Sequence, residues 1–233
     1  ESLISATLAR EGPDILRVHH KYSVEFGELG GLYPLDHFAD FAKVRKQLLD
    51  NVWEHVEYEG SYYGVPIFIL PFVMPVNHSL LQAHDLTIPT TWSELRALGA
   101  PLAASGIHTL VMPGGLNLDT AYRFMALVYR AGGRVLNDDW TAAAFNGPAG
   151  VAALEFLVGL KEDGYLPEAG AAYRSDESEA HWSMQKAVLA IEGPWWQSVV
   201  SNHYQFDLAN LRLASIPTPD ESFEDNEPRT LLD

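Results

Sequence analysis

Ala187-Val188-Leu189-Ala190-Ile191-Glu192-Gly193-Pro194-Trp195-Trp196 decides the fold. Five apolar residues in a row read as a buried strand. Gly193-Pro194 then turns the chain, because proline's fixed φ and missing N–H suit the first position of a helix. In an open α/β sheet such a bend lies at the carboxyl end of a strand, where ligand crevices form, and Trp195 stands at the lip. A large flat apolar ring there suits a sugar ring or another flat, partly apolar ligand. The competing assignment is core packing, the commoner fate of aromatic side chains, and it fits Trp196 better than Trp195.

Composition narrows the classes around this stretch. The 233 residues suit one large or two modest domains. At 47% hydrophobic and 20% charged residues, the chain belongs with folded globular proteins rather than disordered ones. Its net charge of -16, with 15 scattered basic residues, argues against nucleic acid or an anionic membrane as partner. No run approaches the roughly 20 apolar residues a bilayer span needs. The absence of cysteine removes disulfides, thiolate metal sites and thiol nucleophiles, and leaves the compartment open. The opening Glu1-Ser2-Leu3-Ile4-Ser5 has neither a basic n-region nor a long apolar h-region, so no signal segment is visible in this chain.

Along the chain, strand and helix signals alternate. A helix over 3–10 is followed by Gly12-Pro13 and a strand to Val18. Phe38, Phe41, Val44, Leu48 and Val52 recur at helical spacing, giving an amphipathic helix or a pair of short ones. Tyr58 to Tyr63 reads as a hairpin with Gly60 in its turn, and Gly64 to Leu70 as the next strand. Pro71 and Pro75 bracket a segment too proline-rich for the middle of a sheet, hence a crossover between lobes. Thr91-Trp92-Ser93-Glu94 is a capping box that starts a helix running to about Ala104. Asp119 is the expected N-cap of an apolar helix ended by Gly132-Gly133. Asn146-Gly147-Pro148 opens another helix, with Val151, Leu154, Leu157 and Val158 inward and Gly164 as its stop. Ser175 is expected to cap the next helix, whose first turn is acidic. Ile216-Pro217-Thr218-Pro219 reads as a return crossover, followed by the acidic stretch from Asp220 to Glu227.

In order, these segments resemble the solute-binding proteins of carbohydrate ABC importers. Gly12-Pro13-Asp14-Ile15 is similar to that family's Pro-Asp strand, and Gly31-Leu32-Tyr33-Pro34-Leu35-Asp36 to its Gly-x-x-x-Leu-Asp segment. Gly60-x-x-Tyr63-Gly64-Val65-Pro66 resembles its Gly-x-x-Tyr-Gly-Val-Pro hairpin. Val76-Asn77-His78-Ser79-Leu80-Leu81 and Pro89-Thr90-Thr91-Trp92-Ser93-Glu94-Leu95 match further stretches, and Gly132-Gly133 and Lys186 to Trp195 complete the series. Val76 stands where the family often has Tyr, and Gln185 where a Gly is usual. The resemblance implies an α/β, two-lobed periplasmic-binding-protein-like fold with hinge crossovers. It divides the chain into a partial first lobe (1–70), a crossover (71–75), a second lobe (76–215), a return crossover (216–219) and the start of a return to the first lobe (220–233). Members of the family begin earlier and continue further, so the chain reads as an internal fragment with an incomplete first lobe.

The same resemblance implies ligand contacts. Trp195 becomes a stacking platform and Trp196 stays in the core. Tyr122 falls at a sugar-contacting position, with Asp119 beside it as cap or contact. In the first lobe His20, Lys21 and Tyr22, after the Pro-Asp strand, are contact candidates; Phe72 at the crossover walls the cleft. No cofactor, metal or catalytic residue is implied. Adjacent His19 and His20 do not face one metal from a strand, and Asn137-Asp138-Asp139 lacks calcium-loop spacing. The expected function is binding of a sugar or oligosaccharide and delivery to a membrane permease by a monomer outside the cytoplasm. The alternatives are a polyol, sugar phosphate or polyamine on the same fold. A glycoside hydrolase would need two carboxylates about 5–10 Å apart.

Overall fold

The computed structural model describes residues 5, 6, 9, 11–139, 141–221 and 223, and two compact units divide between Ile69 and Leu70. The helix expected over 3–10 falls largely outside the described residues, as does most of 220–233.

In the first unit, α1 (His20–Glu28), α2 (Phe41–Arg45) and a 3-10 turn at Asp50–Val56 surround a small aromatic core. Phe41, Val52, Trp53 and Val56 are its buried members. Phe41 and Trp53 meet edge-on at 5.5 Å. The hairpin forms as expected from β1 (Glu57–Tyr58) and β2 (Ser61–Tyr62). Both turn residues, Glu59 and Gly60, have positive φ, the geometry that matches the right-handed twist of paired strands. Asp36 anchors the second strand: its carboxylate accepts from the Tyr62 backbone N–H at 3.0 Å and the Ser61 hydroxyl at 3.4 Å. The first of these bonds is the main reason its pKa is lowered.

Two strands expected here do not form. Residues 12–18 and 64–70 carry no ladder. Ile15 is 90% exposed and Ile67 65%. The reason is pairing: β1 and β2 are the only strands among the described residues of this unit, and both lie elsewhere.

The second unit is built on a four-stranded sheet in the order β4-β5-β3-β6, from β3 (Met74–Asn77), β4 (His108–Val111), β5 (Ala187–Ala190) and β6 (Leu211–Ala214). β4 and β5 are parallel; β3 is antiparallel to both β5 and β6. Every residue of β5 is buried, so both its faces are covered. Pro75 therefore sits inside an interior strand, opposite Leu213, contrary to the sequence expectation. It is tolerated one residue into the strand, where the missing N–H interrupts a short ladder only once.

The helices are α3 (His78–Ala83), α4 (Trp92–Ala97), α5 (Gly99–Ala103), α6 (Leu118–Arg130), α7 (Pro148–Glu162), α8 (Ser175–Ser183) and α9 (Trp196–Tyr204). Local chemistry sets most of their ends. The capping box at Thr91 and Glu94 is present, and the helix expected to reach about Ala104 is delivered as α4 and α5, broken at Leu98. Gly132 and Gly164 adopt positive φ beyond α6 and α7. Pro148 occupies the first turn of α7. Two caps differ from expectation. Asn117, not Asp119, caps α6 by accepting from the Thr120 N–H at 3.0 Å. Ser175 is the first residue of α8, and the preceding Arg174 N–H donates to Glu177 at 2.7 Å.

Of the four α7 residues expected inward, only Leu157 packs against the core, partly buried; Val151, Leu154 and Val158 face out. Ala149, Gly150, Ala153, Phe156 and Leu160 point inward. Leu154 is 54% exposed and Val151 and Val158 are exposed beside it, facing an apolar groove of about 570 Å3 with Phe124, Phe145 and Leu166. Close approach explains the choice: a Cβ on Gly133 would meet Ala149 at 2.7 Å, and one on Gly150 would overlap the Phe145 carbonyl. Small residues let the backbones touch, and a branched face would not fit. The stretch 216–219 docks within this unit: Thr218 bridges to Thr91, and Trp92 donates to the Pro217 carbonyl at 3.1 Å.

Candidate functional site

Sheet topology brings three segments to one edge of the second unit. β4 and β5 run parallel in the register Val111 opposite Ala190, so their carboxyl ends lie side by side. The Met112 to Asn117 loop and the first turn of α6 follow β4, and Glu192 to Trp195 follow β5. β3 runs the other way, so its entry, Phe72-Val73, arrives at the same edge. Val73 and Glu192 exchange both backbone hydrogen bonds there, at 2.7 and 3.0 Å. This is the strand edge at which open α/β sheets form ligand crevices.

An aromatic stack occupies it. Trp195 and Tyr122 are half-buried, and Phe72, 3% exposed, lies behind them. Phe72 meets Trp195 edge-on at 5.6 Å with the planes at 89°, and Tyr122 at 6.3 Å. Phe72 thus backs the two rings rather than walling a cleft. Gly193 is what lets Trp195 fold back: a Cβ there would come within 1.7 Å of the indole ring. The bend also differs in register from expectation. α9 begins at Trp196, not at Pro194, which sits with Trp195 in the preceding turn. Trp196 points the other way, fully buried and edge-on to Trp182 at 5.7 Å.

Polar groups complete the edge. Asp119, one helical turn before Arg123, accepts from the Ser175 hydroxyl at 2.8 Å and keeps about half its side chain exposed. Arg123 and Glu192 form a buried ion pair, with side chains only 4% and 1% exposed. The guanidinium also donates to the Ile191 carbonyl at 3.3 Å and the Asp119 carbonyl at 3.1 Å, and its carbon lies 5.3 Å from the Phe72 ring centroid. Burial pushes the Glu192 carboxyl up to about 7 despite the pull of Arg123. Burial, with the Asp176 charge, also raises Glu179.

Sequence reasoning missed Arg123, Glu192 and Ser175. The signal was there in part: an arginine in the middle of an apolar helix and a glutamate directly after a buried strand both need partners. The first-lobe candidates belong to the other unit. His20, Lys21 and Tyr22 lie in the first turn of α1, not after a strand, because 12–18 forms none. Tyr22 is exposed; the side chains of His20 and Lys21 lie outside the described residues.

The chain is similar in structure to several solved proteins. An ABC transporter solute-binding protein from Thermotoga lettingae, bound with alpha-D-tagatose, aligns at 27% identity and a TM-score of 0.82, covering 99% of this chain and 59% of its own. Maltose-bound MalE3 of T. maritima aligns at 23% identity and a TM-score of 0.82, covering 98% and 57%. The GacH receptor of Streptomyces glaucescens, solved without ligand and with acarbose, aligns at 22% and 0.81, covering 95% and 56%. This chain therefore spans under three-fifths of the length of each. A search of curated protein sequences gives no match. The family model for bacterial extracellular solute-binding proteins matches residues 2–220, and the chain belongs to that family.

Proposed function

We propose that the second unit supplies one wall of a carbohydrate site in a solute-binding protein that passes its ligand to an ABC permease outside the cytoplasm. The observation that carries this reading is the half-buried Trp195 held on the Phe72 ring at the carboxyl ends of β4 and β5. An indole face at a strand edge matches the apolar face of a pyranose ring, and a stack of this kind adds about 0.5–1.5 kcal/mol beyond area burial. Tyr122 extends the surface. Asp119, already anchored by Ser175, has carboxylate lone pairs left for ligand hydroxyls. In the first unit Tyr22, His20 and Lys21 are proposed as further ligand contacts. Binding of this kind needs aromatic faces and oriented polar groups but no nucleophile, which fits a protein that binds without turnover; a monomer is the proposed state.

One observation favours a second ligand class. Asp119 and Asp176 both interact electrostatically with Glu179, against Arg123 and His203, an acidic grouping that suits an amino-bearing ligand such as a polyamine. Isothermal titration calorimetry with alpha-D-tagatose, maltose and spermidine separates the readings, with Trp195→Ala as control. Sugar binding weakened at least tenfold by the substitution supports the carbohydrate site; spermidine binding with silent sugars supports the second reading. Sugar binding that is indifferent to Trp195 refutes the platform.

A further inference from the structure

The Arg123–Glu192 pair is poorly explained as a stabilising device. Two charges taken out of water lose most of what they gain from each other, and replacing such a pair with apolar residues of similar volume is often neutral or stabilising. Its geometry shows another use. Arg123 reaches from α6 to the Ile191 carbonyl at the end of β5, to the Glu192 carboxylate in the bend, and to the face of the Phe72 ring. Glu192 is in turn clamped through its backbone to Val73, the residue after Phe72. Phe72 is therefore held from two sides, and Trp195 and Tyr122 rest on it.

We propose that Arg123 and Glu192 are the positioning residues of the ligand platform: they fix the Phe72 ring, and through it Trp195 and Tyr122, in the orientation that receives ligand, and the fold does not depend on them. This rests on the carbohydrate reading for its ligand but not for its geometry. Ionised, Glu192 holds the guanidinium as an ion pair with its second oxygen, Oε1, without a hydrogen-bond partner among the described residues. Protonated, it offers a weaker acceptor. Arg123 favours the ionised form, and Asp119 on α6 and Glu179 on α8 oppose it; Glu179 itself faces Asp176 and His203. The order of the platform follows the charge on Glu192.

Two readouts test this. The Trp195 contribution to the near-ultraviolet circular dichroism, obtained by subtracting each protein's Trp195→Phe version, reports ring order without any ligand. Calorimetry with maltose and alpha-D-tagatose reports binding. In the double variant Arg123→Met/Glu192→Leu the urea midpoint is expected to stay near that of the parent, while the Trp195 band falls by more than half and sugar affinity drops at least tenfold. A double variant that keeps both band and affinity overturns the proposal. Should it fail to fold, Glu192→Gln decides: the parent's Trp195 band is expected to change between pH 6 and 8 and that of Glu192→Gln to stay flat. An unchanged titration in Glu192→Gln overturns the assignment. A parent that binds no sugar sinks the carbohydrate reading alone, because the dichroism arm still decides the pair.

Discussion

In the second unit β5 runs between β4 and β3 with every residue buried, while in the first unit the apolar stretch 64–69 forms no ladder and leaves Ile67 and Phe68 in solvent. Both segments are apolar, but 64–69 carries Gly64 and Pro66, which weaken a ladder, and the two have different neighbours. A strand is a property of a pair: backbone N–H and C=O groups need partners, and a row of β-branched residues without a ladder gains neither hydrogen bonds nor burial. The site follows the same rule, since the aromatic stack is assembled where three paired strands begin or end.

The contrast can be broken or sharpened by substitution. The largest effect is expected in the buried sheet layer. Trp196→Ala removes a fully buried ring packed on Trp182 and should cost about 3–5 kcal/mol in urea unfolding, or prevent folding of the second unit. A loss under 1 kcal/mol would show that the core does not rest on this contact. Gly193→Ala comes next. The added methyl cannot coexist with the Trp195 ring where it lies, so the ring must leave Phe72, and sugar affinity should fall about as far as in Trp195→Ala. Thr91→Ala opens the capping box of α4 and is expected to cost about 1 kcal/mol by thermal or urea unfolding. The smallest effect belongs to the unpaired segments: Ile15→Ala and Ile67→Ala should change stability by no more than about 0.5 kcal/mol. Native-state hydrogen exchange checks the same division, with β5 amides protected and those of 64–70 exchanging fast.

Acid titration probes the second unit in a different way, because two of its groups oppose each other. His181 packs on His108 with ring nitrogens 3.1 Å apart, and burial drives its pKa down to about 4. The unfolded chain therefore takes up the proton first, and this group removes stability as pH falls from about 6.5 towards 4. Glu192, raised from 4.5 to about 7, binds its proton more tightly in the folded state, so it adds stability on acidification over the range from about 7 to 4.5. The wild type is expected to show a shallow profile between pH 4.5 and 7. Glu192→Gln should lose stability more steeply on acidification, and His181→Gln should gain it. Parallel profiles for all three proteins would contradict this assignment.

Much of the second unit is legible in the residues themselves. Thr91 with Glu94, Pro148, Gly132 and Gly164 each mark a helix end through local backbone chemistry, and each does so in the fold. The apolar run Ala187 to Ile191 is buried throughout and forms a strand up to Ala190, and Trp195 and Trp196 part into half-buried and core positions. What failed needed knowledge of neighbours. Periodicity on α7 marks two apolar faces and cannot choose between them; Gly133 and Gly150 choose the one with small residues. Pro75 reads as a crossover until β5 and β6 are seen on either side of it. Arg123 and Glu192 lie 69 residues apart and explain each other only once β5 and α6 meet at the same edge.

The central claim, that the strand edge of the second unit receives ligand through Trp195, is tested most directly by fluorine NMR of 5-fluorotryptophan-labelled protein titrated with maltose or alpha-D-tagatose. Assignment by Trp195→Phe and Trp196→Phe identifies two of the six indole signals. The account predicts that the Trp195 signal shifts on binding while that of Trp196 stays in place. A Trp195 signal that stays still while sugar is bound would contradict it.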